Sequence, residues 1–165
     1  HTAVGTYLDV PFHRFADGKD ISQFDLSDFI LEGIIVDASS DNKNNAILSA
    51  IESSSMKGKA LLIYFGKGSE WGTEAYYTYP ALTQDEIDQI AASKVKLVGV
   101  DTINIDDSSR YHRPAHTKFL SNNILIVENL TNLDKILNKK FRLFAVPLNI
   151  PKVPNMPVRV FAEVY

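Results

Sequence analysis

Short apolar runs alternate along this chain with polar segments, and four of the runs have the length and composition of buried β-strands. They occupy residues 34–36, 60–65, 95–100 and 124–127. Apolar runs of this kind, bounded by glycine or by polar clusters, are typical of strands that are covered on both faces of a sheet. A further strand is predicted at residues 2–8, and two more at residues 141–148 and 158–164.

Helical signals lie between these runs. Thr83 and Glu86 have the spacing of a capping box, and residues 46–51 also have helical spacing. Strands separated by helices predict an α/β domain with a mixed sheet. The last two strands have no helix between them, so they could pair antiparallel. The proline-containing segment 151–157 is predicted to form a stiff loop or arm.

The length of 165 residues leaves room for one domain, or for one domain with an extended arm, and we expect a single domain that spans residues 1–165. Apolar residues make up 45% of the chain and charged residues 22%, the ordinary balance of a globular protein. The net charge of −3 lacks the basic excess of a general nucleic-acid-binding protein. Because there is no cysteine, disulfide scaffolds and thiolate zinc sites are excluded.

Two features bear on where the protein works. No apolar run approaches the roughly 20 residues of a membrane helix, and no secretory signal opens the chain. We therefore expect neither a nucleic-acid nor a membrane partner, and a cytoplasmic location is the default. The chain begins with His rather than Met, and a motif follows almost at once. We thus expect a short N-terminal segment to be missing.

Three carboxylates occupy unusual positions. Asp9 lies between apolar neighbours, and Asp101 and Glu128 each end a predicted buried strand. A buried charge is costly unless another group pairs with it. These residues could be caps or ion pairs at the rim of the sheet. They could instead form a metal or catalytic site at the strand ends, where α/β folds place their ligands.

The histidines offer a second set of candidate ligands. His13 follows Asp9 by four residues across Pro11, which favours a turn. His112 and His116 are also four residues apart, and Pro114 could begin a short helix that carries both rings on one side. On spacing alone, the preferred interpretation of each histidine is that it is solvated or satisfied in the core. Imidazole and carboxylate together would suit metal-assisted hydrolysis with Zn²⁺ or Mn²⁺.

Other catalytic motifs are absent, and one aromatic group stands out. The glycine-rich residues 66–72 lack the P-loop pattern, and there is no Gly-x-Ser-x-Gly elbow. Aromatic residues around Trp71 could line a pocket for an aryl group, or they could simply pack. We take Trp71 as a candidate substrate-binding residue on this composition alone.

Three spaced blocks of the sequence resemble one known family. The first is Gly5-Thr6-Tyr7-Leu8-Asp9-Val10-Pro11-Phe12-His13, the second is residues 95–102, and the third runs through residues 127–133 after His116. They resemble the metal-dependent cyclase-like hydrolases, which include bacterial kynurenine formamidases and isatin hydrolases. The family pattern is His-x-Gly-Thr-His-x-Asp-x-Pro-x-His, and the resemblance runs in the right order to the C-terminus.

The resemblance implies a fold, a site and an assembly. The fold would be the swivelling β/β/α domain of this family, often assembled as a homodimer or a higher homo-oligomer. Asp9, His116 and Glu128 would be metal ligands, and His13 would be the catalytic residue that exchanges protons with water and the leaving amine. A single divalent metal ion, Zn²⁺ or Mn²⁺, would be the cofactor.

This sequence departs from the family pattern at two histidine positions. The second histidine of the motif is Tyr7 here, and the first falls at Ala3, while His1 is two residues too early. Two imidazole ligands are therefore expected to be missing. Tyr7 could donate a hydrogen bond to a substrate oxyanion, which makes it a candidate substrate-binding residue, or it could merely fill the vacated space.

Two hypotheses follow. The first is a metal-dependent hydrolase that cleaves the C–N bond of a formamide or a cyclic amide, with a small-molecule substrate. The alternative is a catalytically impaired relative that binds a small ligand or has a regulatory role, which the replacement of two histidines favours. A different reaction on the same scaffold, such as lactone hydrolysis or a dehydration, is a weaker third possibility.

Overall fold

The computed structural model describes residues 3–39, 43–109 and 111–165. In this part of the chain three helices are described, and they are α1 (Lys43–Ser53), α2 (Gln84–Ala92) and α3 (Pro114–Ser121). The strands are β1 (Tyr7–Asp9), β2 (Ile30–Asp37), β3 (Ala60–Tyr64), β4 (Leu97–Val100), β5 (Leu125–Glu128), β6 (Phe141–Phe144), β7 (Asn155–Pro157) and β8 (Phe161–Val164). No helix among these residues is long and apolar enough to cross a membrane.

The strands form one mixed sheet in the order β7-β1-β5-β4-β3-β2-β6-β8. Its centre is parallel, because β2, β3, β4 and β5 pair side by side in the same direction. Each of the three parallel connections contains one helix, which is the usual way to join parallel strands. The outer strands run antiparallel to their neighbours. The predicted α/β domain with a mixed sheet is thus confirmed.

The sheet separates two apolar cores. On one face, Ile47 of α1, Ile90 of α2 and Phe119 of α3 are fully buried together with side chains from the central strands. The opposite face carries Leu62 and Leu125 within a second cluster that loop residues cover. The central strands are buried on both faces, which explains why their sequences are continuously apolar.

Three details of the predicted elements are settled by the structure. The last two predicted strands do pair antiparallel, as β6 and β8. The strand predicted at residues 2–8 is wrong in its start: β1 begins at Tyr7, because Gly5 adopts a left-handed φ of 64° that interrupts an extended chain. The segment 151–157 is not wholly a loop, since its last three residues form β7 beside β1.

Candidate metal centre

Strand pairing places two carboxylates on the same side of the sheet. β1 runs antiparallel to β5, with Tyr7 opposite Glu128 and Asp9 opposite Ile126. Residues two apart in a strand point to the same face, and directly opposed residues share that face. Tyr7, Asp9 and Glu128 therefore project together, and both carboxylates are fully buried. The sequence separates them by more than a hundred residues, but the sheet makes them neighbours.

Helix α3 brings His116 to the same place. The helix begins with Pro114 at its first position, as predicted, and His116 is fully buried. Asp106 fixes the start of this helix, because its carboxylate accepts the backbone N–H groups of Ala115 at 2.8 Å and His116 at 3.0 Å. The same carboxylate lies 2.7 Å from His116 Nδ1. Nδ1 therefore carries the proton, and Nε2 points toward the carboxylates of the strands.

The distance from His116 Nε2 to each of the two strand carboxylates matches the separation of two ligands of one ion. This nitrogen lies 3.6 Å from Asp9 Oδ2 and 3.6 Å from Glu128 Oε1. Atoms that coordinate one ion tetrahedrally at about 2.0–2.2 Å are separated by about 3.3–3.6 Å. Asp9 Oδ2 and His116 Nε2 are buried and have no hydrogen-bond partner. Buried polar atoms without partners are rare and require an explanation, and a cation between them would provide one.

His13 lies at the edge of the same group. It ends the short turn Pro11–His13, and its ring centroid is 5.8 Å from that of His116. Asn155 Nδ2 is 3.1 Å from both Asp9 Oδ1 and His13 Nδ1, so one amide group bridges the carboxylate and the imidazole. Asp9, His13 and His116 each offer a ligand atom within 4.8 Å of the others, whereas Glu128, which the sequence predicts as a ligand, is not part of this group. His13 is therefore close enough to act either as a ligand or as a proton-transfer group.

Tyr7 forms a hydrogen bond with one carboxylate oxygen of Glu128. The Tyr7 hydroxyl donates a hydrogen bond to Glu128 Oε2, while Glu128 Oε1 accepts the backbone N–H of Ile105 at 2.7 Å. Burial, with the negative charges of Glu128 and Asp9, raises the pKa of Tyr7, so the phenol stays a donor at physiological pH. Burial also raises the pKa of Glu128 to about 7; the His116 charge opposes this shift and the Asp9 charge adds to it.

The two histidines are held in opposite electrostatic states. Burial disfavours the charged form of His116, but the hydrogen bond to Asp106 and the Asp9 and Glu128 carboxylates outweigh it and raise the pKa of His116 to about 9. Burial lowers the pKa of His13, so that imidazole is neutral near pH 7. The centre therefore attracts positive charge at His116, where either a proton or a metal ion would balance the carboxylates.

Other residues singled out by the sequence lie apart from this centre. His112 is exposed and precedes α3, so for this histidine the structure agrees with the solvated alternative. Asp101 caps a turn, because its carboxylate accepts the backbone N–H groups of Phe65, Lys67 and Gly68. For Asp101 the structural interpretation, a cap at the rim of the sheet, is therefore correct. His1 lies outside the described residues.

Trp71 is 51% exposed, in the loop after β3. Its ring packs edge-on against Tyr76, with the ring centroids 5.1 Å apart. The Tyr76 hydroxyl donates in turn to Asn129 Oδ1 at 2.8 Å, and Asn129 directly follows Glu128 in the chain. Trp71 is thus linked to the centre only through intermediate side chains, and its contact with a substrate stays a prediction.

Two residues that shape the centre were missed by sequence reasoning. Asp106 lies eight residues before Pro114, so it is not the N-cap of α3 and no local capping signal marks it. Asn155 gave no signal either, because it lies in a proline-containing segment that the sequence predicts to be a loop. Only the pairing of β7 with β1, which sets Asn155 opposite Asp9, reveals its role.

Comparison with known proteins identifies one matching family and several similar proteins of the same name. Residues 1–107 match the family described as "Putative cyclase". The chain is 27% identical over 155 residues to a kynurenine formamidase of Bacillus cereus (strain ATCC 14579), and the match covers 94% of this chain and 73% of the formamidase. It is 28% identical over 160 residues to a kynurenine formamidase of Delftia acidovorans, with the same two coverages.

Solved structures share the fold. Isatin hydrolase A from Ralstonia solanacearum superposes with a TM-score of 0.85 at 24% identity, covering 98% of this chain and 72% of that protein. An isatin hydrolase bound to the product analogue thioisatinate gives a TM-score of 0.85 at 23% identity, with the same coverages. At these identities the likeness concerns the fold. It confirms that the eight-stranded mixed sheet is the architecture of cyclase-family structures.

Proposed function

We propose that this chain, which belongs to the cyclase family, is a metal-dependent hydrolase of the C–N bond of a formamide or a cyclic amide. Its relatives with assigned activities are kynurenine formamidases, which supports both the hydrolytic reaction and a small-molecule substrate. The observation that carries the proposal is the arrangement of Asp9 Oδ2 and His116 Nε2, two buried atoms 3.6 Å apart that have no hydrogen-bond partner.

Asp9, His116 and Glu128 would hold one divalent ion. One imidazole nitrogen and two carboxylate oxygens are a donor set that suits Zn²⁺ or Mn²⁺. Asp106 would keep His116 in the tautomer that presents Nε2, and Tyr7 would keep the Glu128 carboxylate in place. The bound metal would polarise the scissile carbonyl and lower the pKa of water toward about 7.

His13 would transfer protons during the reaction. The Asn155 amide donates toward His13 Nδ1, which leaves the proton of the neutral ring on Nε2. The neutral ring would first accept a proton from attacking water and become an imidazolium, and it would then give one proton to the leaving nitrogen and return to the neutral form. A well-placed acid/base group of this kind is worth about 10²–10⁴-fold in rate.

The alternative, a catalytically impaired relative that only binds a ligand, is not favoured. The replacement of a motif histidine by Tyr7 suggested it, but the structure shows Tyr7 supporting Glu128 rather than disrupting it. The named curated relatives are enzymes.

We further propose that the protein works in the cytoplasm. We also propose that it forms a homodimer or a larger homo-oligomer, and light scattering on the purified protein would test this assembly.

The test combines metal binding with hydrolysis. Purified protein, stripped with a chelator and reloaded with Zn²⁺ or Mn²⁺, should bind about one ion per chain and should then hydrolyse formanilide or N-formylkynurenine. Asp9→Asn and His116→Ala should abolish stoichiometric binding, whereas Asp88→Asn, at an exposed carboxylate of α2, should bind normally. Far-ultraviolet circular dichroism checks that each variant is folded.

The outcomes separate the parts of the proposal. Tight metal binding without hydrolysis of any amide or formamide would contradict the enzymatic role but keep the metal centre. Failure to bind either ion would overturn both. His13→Ala should bind the ion and lose at least about 100-fold in rate; loss of the ion instead would assign His13 to the ligand set.

A further inference from the structure

A cationic cleft of about 480 Å³ lies between α2 and α3. Arg14 and Arg113 both line it, together with Thr117 and Lys118 of α3 and Asp88 of α2. The chain as a whole is acidic, with a net charge of −3, so a cluster of three cationic side chains is a local reversal of charge.

The two arginines lie next to His13 and to α3, the elements that carry two residues of the candidate site. Arg14 follows His13 directly, and Arg113 lies three residues before His116 at the start of α3. Arg14 Nε donates to Thr117 Oγ1 at 3.2 Å, so the guanidinium reaches across to the helix residue that follows His116. The two arginines of the cleft therefore flank the two elements that carry His13 and His116.

The acidic residue of the cleft pairs with Lys118, which leaves the two arginines available to bind an anion. Lys118 is bound to Asp88 at 2.7 Å. For Arg14 and Arg113 no ion pair occurs within residues 3–39, 43–109 and 111–165. The side chain of Arg113 makes no capping hydrogen bond to α3 either. Its positive charge acts on the site, because it adds to the lowering of the pKa of His13 and opposes the rise in the pKa of Tyr7.

We propose that Arg113 and Arg14 bind a carboxylate of the substrate, so that the preferred substrate is an amide or formamide that carries a free carboxylate near the bond to be cleaved. This inference rests on the proposed function. A guanidinium fork matches a carboxylate with two parallel N–H···O bonds, which lysine cannot reproduce. Two unpaired guanidinium groups beside the proton-transfer residue would fix such a substrate in both position and orientation.

A matched pair of substrates tests the inference. 2-Formamidobenzoate and formanilide differ by one carboxylate, and the ratio of their kcat/KM values measures its recognition. The wild-type protein should prefer 2-formamidobenzoate, and Arg113→Gln should lower the ratio by about 10- to 100-fold, the usual effect of losing a hydrogen bond to a charged group. Arg14→Gln should lower it in the same direction. Arg142→Gln, which removes an arginine paired with Glu32 elsewhere on the sheet, should leave the ratio within about twofold of wild type.

A binding measurement separates this inference from the proposed function. Isothermal titration of metal-loaded protein with 2-aminobenzoate should show binding that Arg113→Gln weakens about 10-fold or more. If no amide is hydrolysed but this binding and its loss are observed, the carboxylate site stands and the proposed function fails. If both substrates are hydrolysed equally well by wild type, or if Arg113→Gln leaves the ratio unchanged, the inference is overturned. Should Arg113→Gln not fold, Arg113→Lys keeps the charge, removes the fork, and should still lower the ratio.

Discussion

Asp106 holds His116 by two hydrogen bonds, one to the backbone N–H at 3.0 Å and one to ring Nδ1 at 2.7 Å. A single carboxylate therefore fixes both the start of α3 and the direction in which the imidazole presents Nε2. Carboxylate partners of this kind typically contribute about 10- to 100-fold to metal affinity.

Replacing Asp106 by Asn should therefore weaken metal binding. We expect the affinity for Zn²⁺ or Mn²⁺ to fall by about 10- to 100-fold, because the amide can no longer accept from all three N–H groups and the ring loses its preferred orientation. Competition with a chromogenic chelator measures the change. Asp88→Asn provides the control, since that carboxylate interacts with Lys118 on the surface. Equal affinities of the Asp106→Asn and wild-type proteins would contradict the assigned role.

Replacing Tyr7 by Phe should destabilise the metal-free protein. The hydroxyl donates to Glu128 Oε2, a buried oxygen, and removing the donor should lower the free energy of unfolding by about 1–3 kcal/mol. Urea denaturation at neutral pH measures the loss. Tyr77→Phe, at a side chain that is 62% exposed, should change the stability by less than about 0.5 kcal/mol. If both variants were equally stable, the hydrogen bond between Tyr7 and Glu128 would contribute nothing to the free energy of unfolding.

Replacing Asn155 by Leu should impair catalysis more than metal binding. The amide bridges Asp9 and His13, so its loss should leave the His13 ring free to adopt other orientations. We expect kcat to fall at least about 10-fold, part of the total effect of an acid/base group. The number of metal ions bound per chain should be unchanged. A higher KM with unchanged kcat would indicate that Asn155 contacts the substrate instead.

Asp101 should make stability depend on pH. Burial raises the pKa of this carboxyl above its ordinary 3.8, against the opposing backbone N–H groups of Phe65, Lys67 and Gly68. The folded protein then retains a proton that the unfolded chain has released, so this contribution to stability is complete at low pH and is lost as the pH rises through the raised pKa.

The measurement is the free energy of unfolding of wild type and Asp101→Asn between pH 4 and pH 7. Because the variant cannot titrate at this position, the stability of wild type relative to the variant should decline as the pH rises. A constant difference across the range would show that the pKa of Asp101 is not raised in the folded protein.

The elements of the fold follow largely from local sequence. Buried strands such as Ala60–Tyr64 are recognisable because a strand covered on both faces needs apolar side chains throughout. The start of α2 is equally local, since Thr83 and Glu86 form the capping box that their spacing predicts. The two shortest outer strands were harder to predict, since β1 was expected to begin earlier and β7 was expected to be part of a loop. Each has only three residues, and β1 is held between β5 and β7 by antiparallel pairing.

The candidate site shows the same division. By itself the sequence determined the chemical groups, since Asp9, His13, His116 and Glu128 were recognisable from their positions and from a family motif. Only the tertiary structure decided which of the acidic residues meet. The antiparallel register sets Tyr7 opposite Glu128, and α3 carries His116 to both carboxylates, while Asp101 ends its strand in a turn. Local patterns report a residue's burial and spacing, but convergence depends on pairing between segments more than a hundred residues apart, which no local pattern encodes.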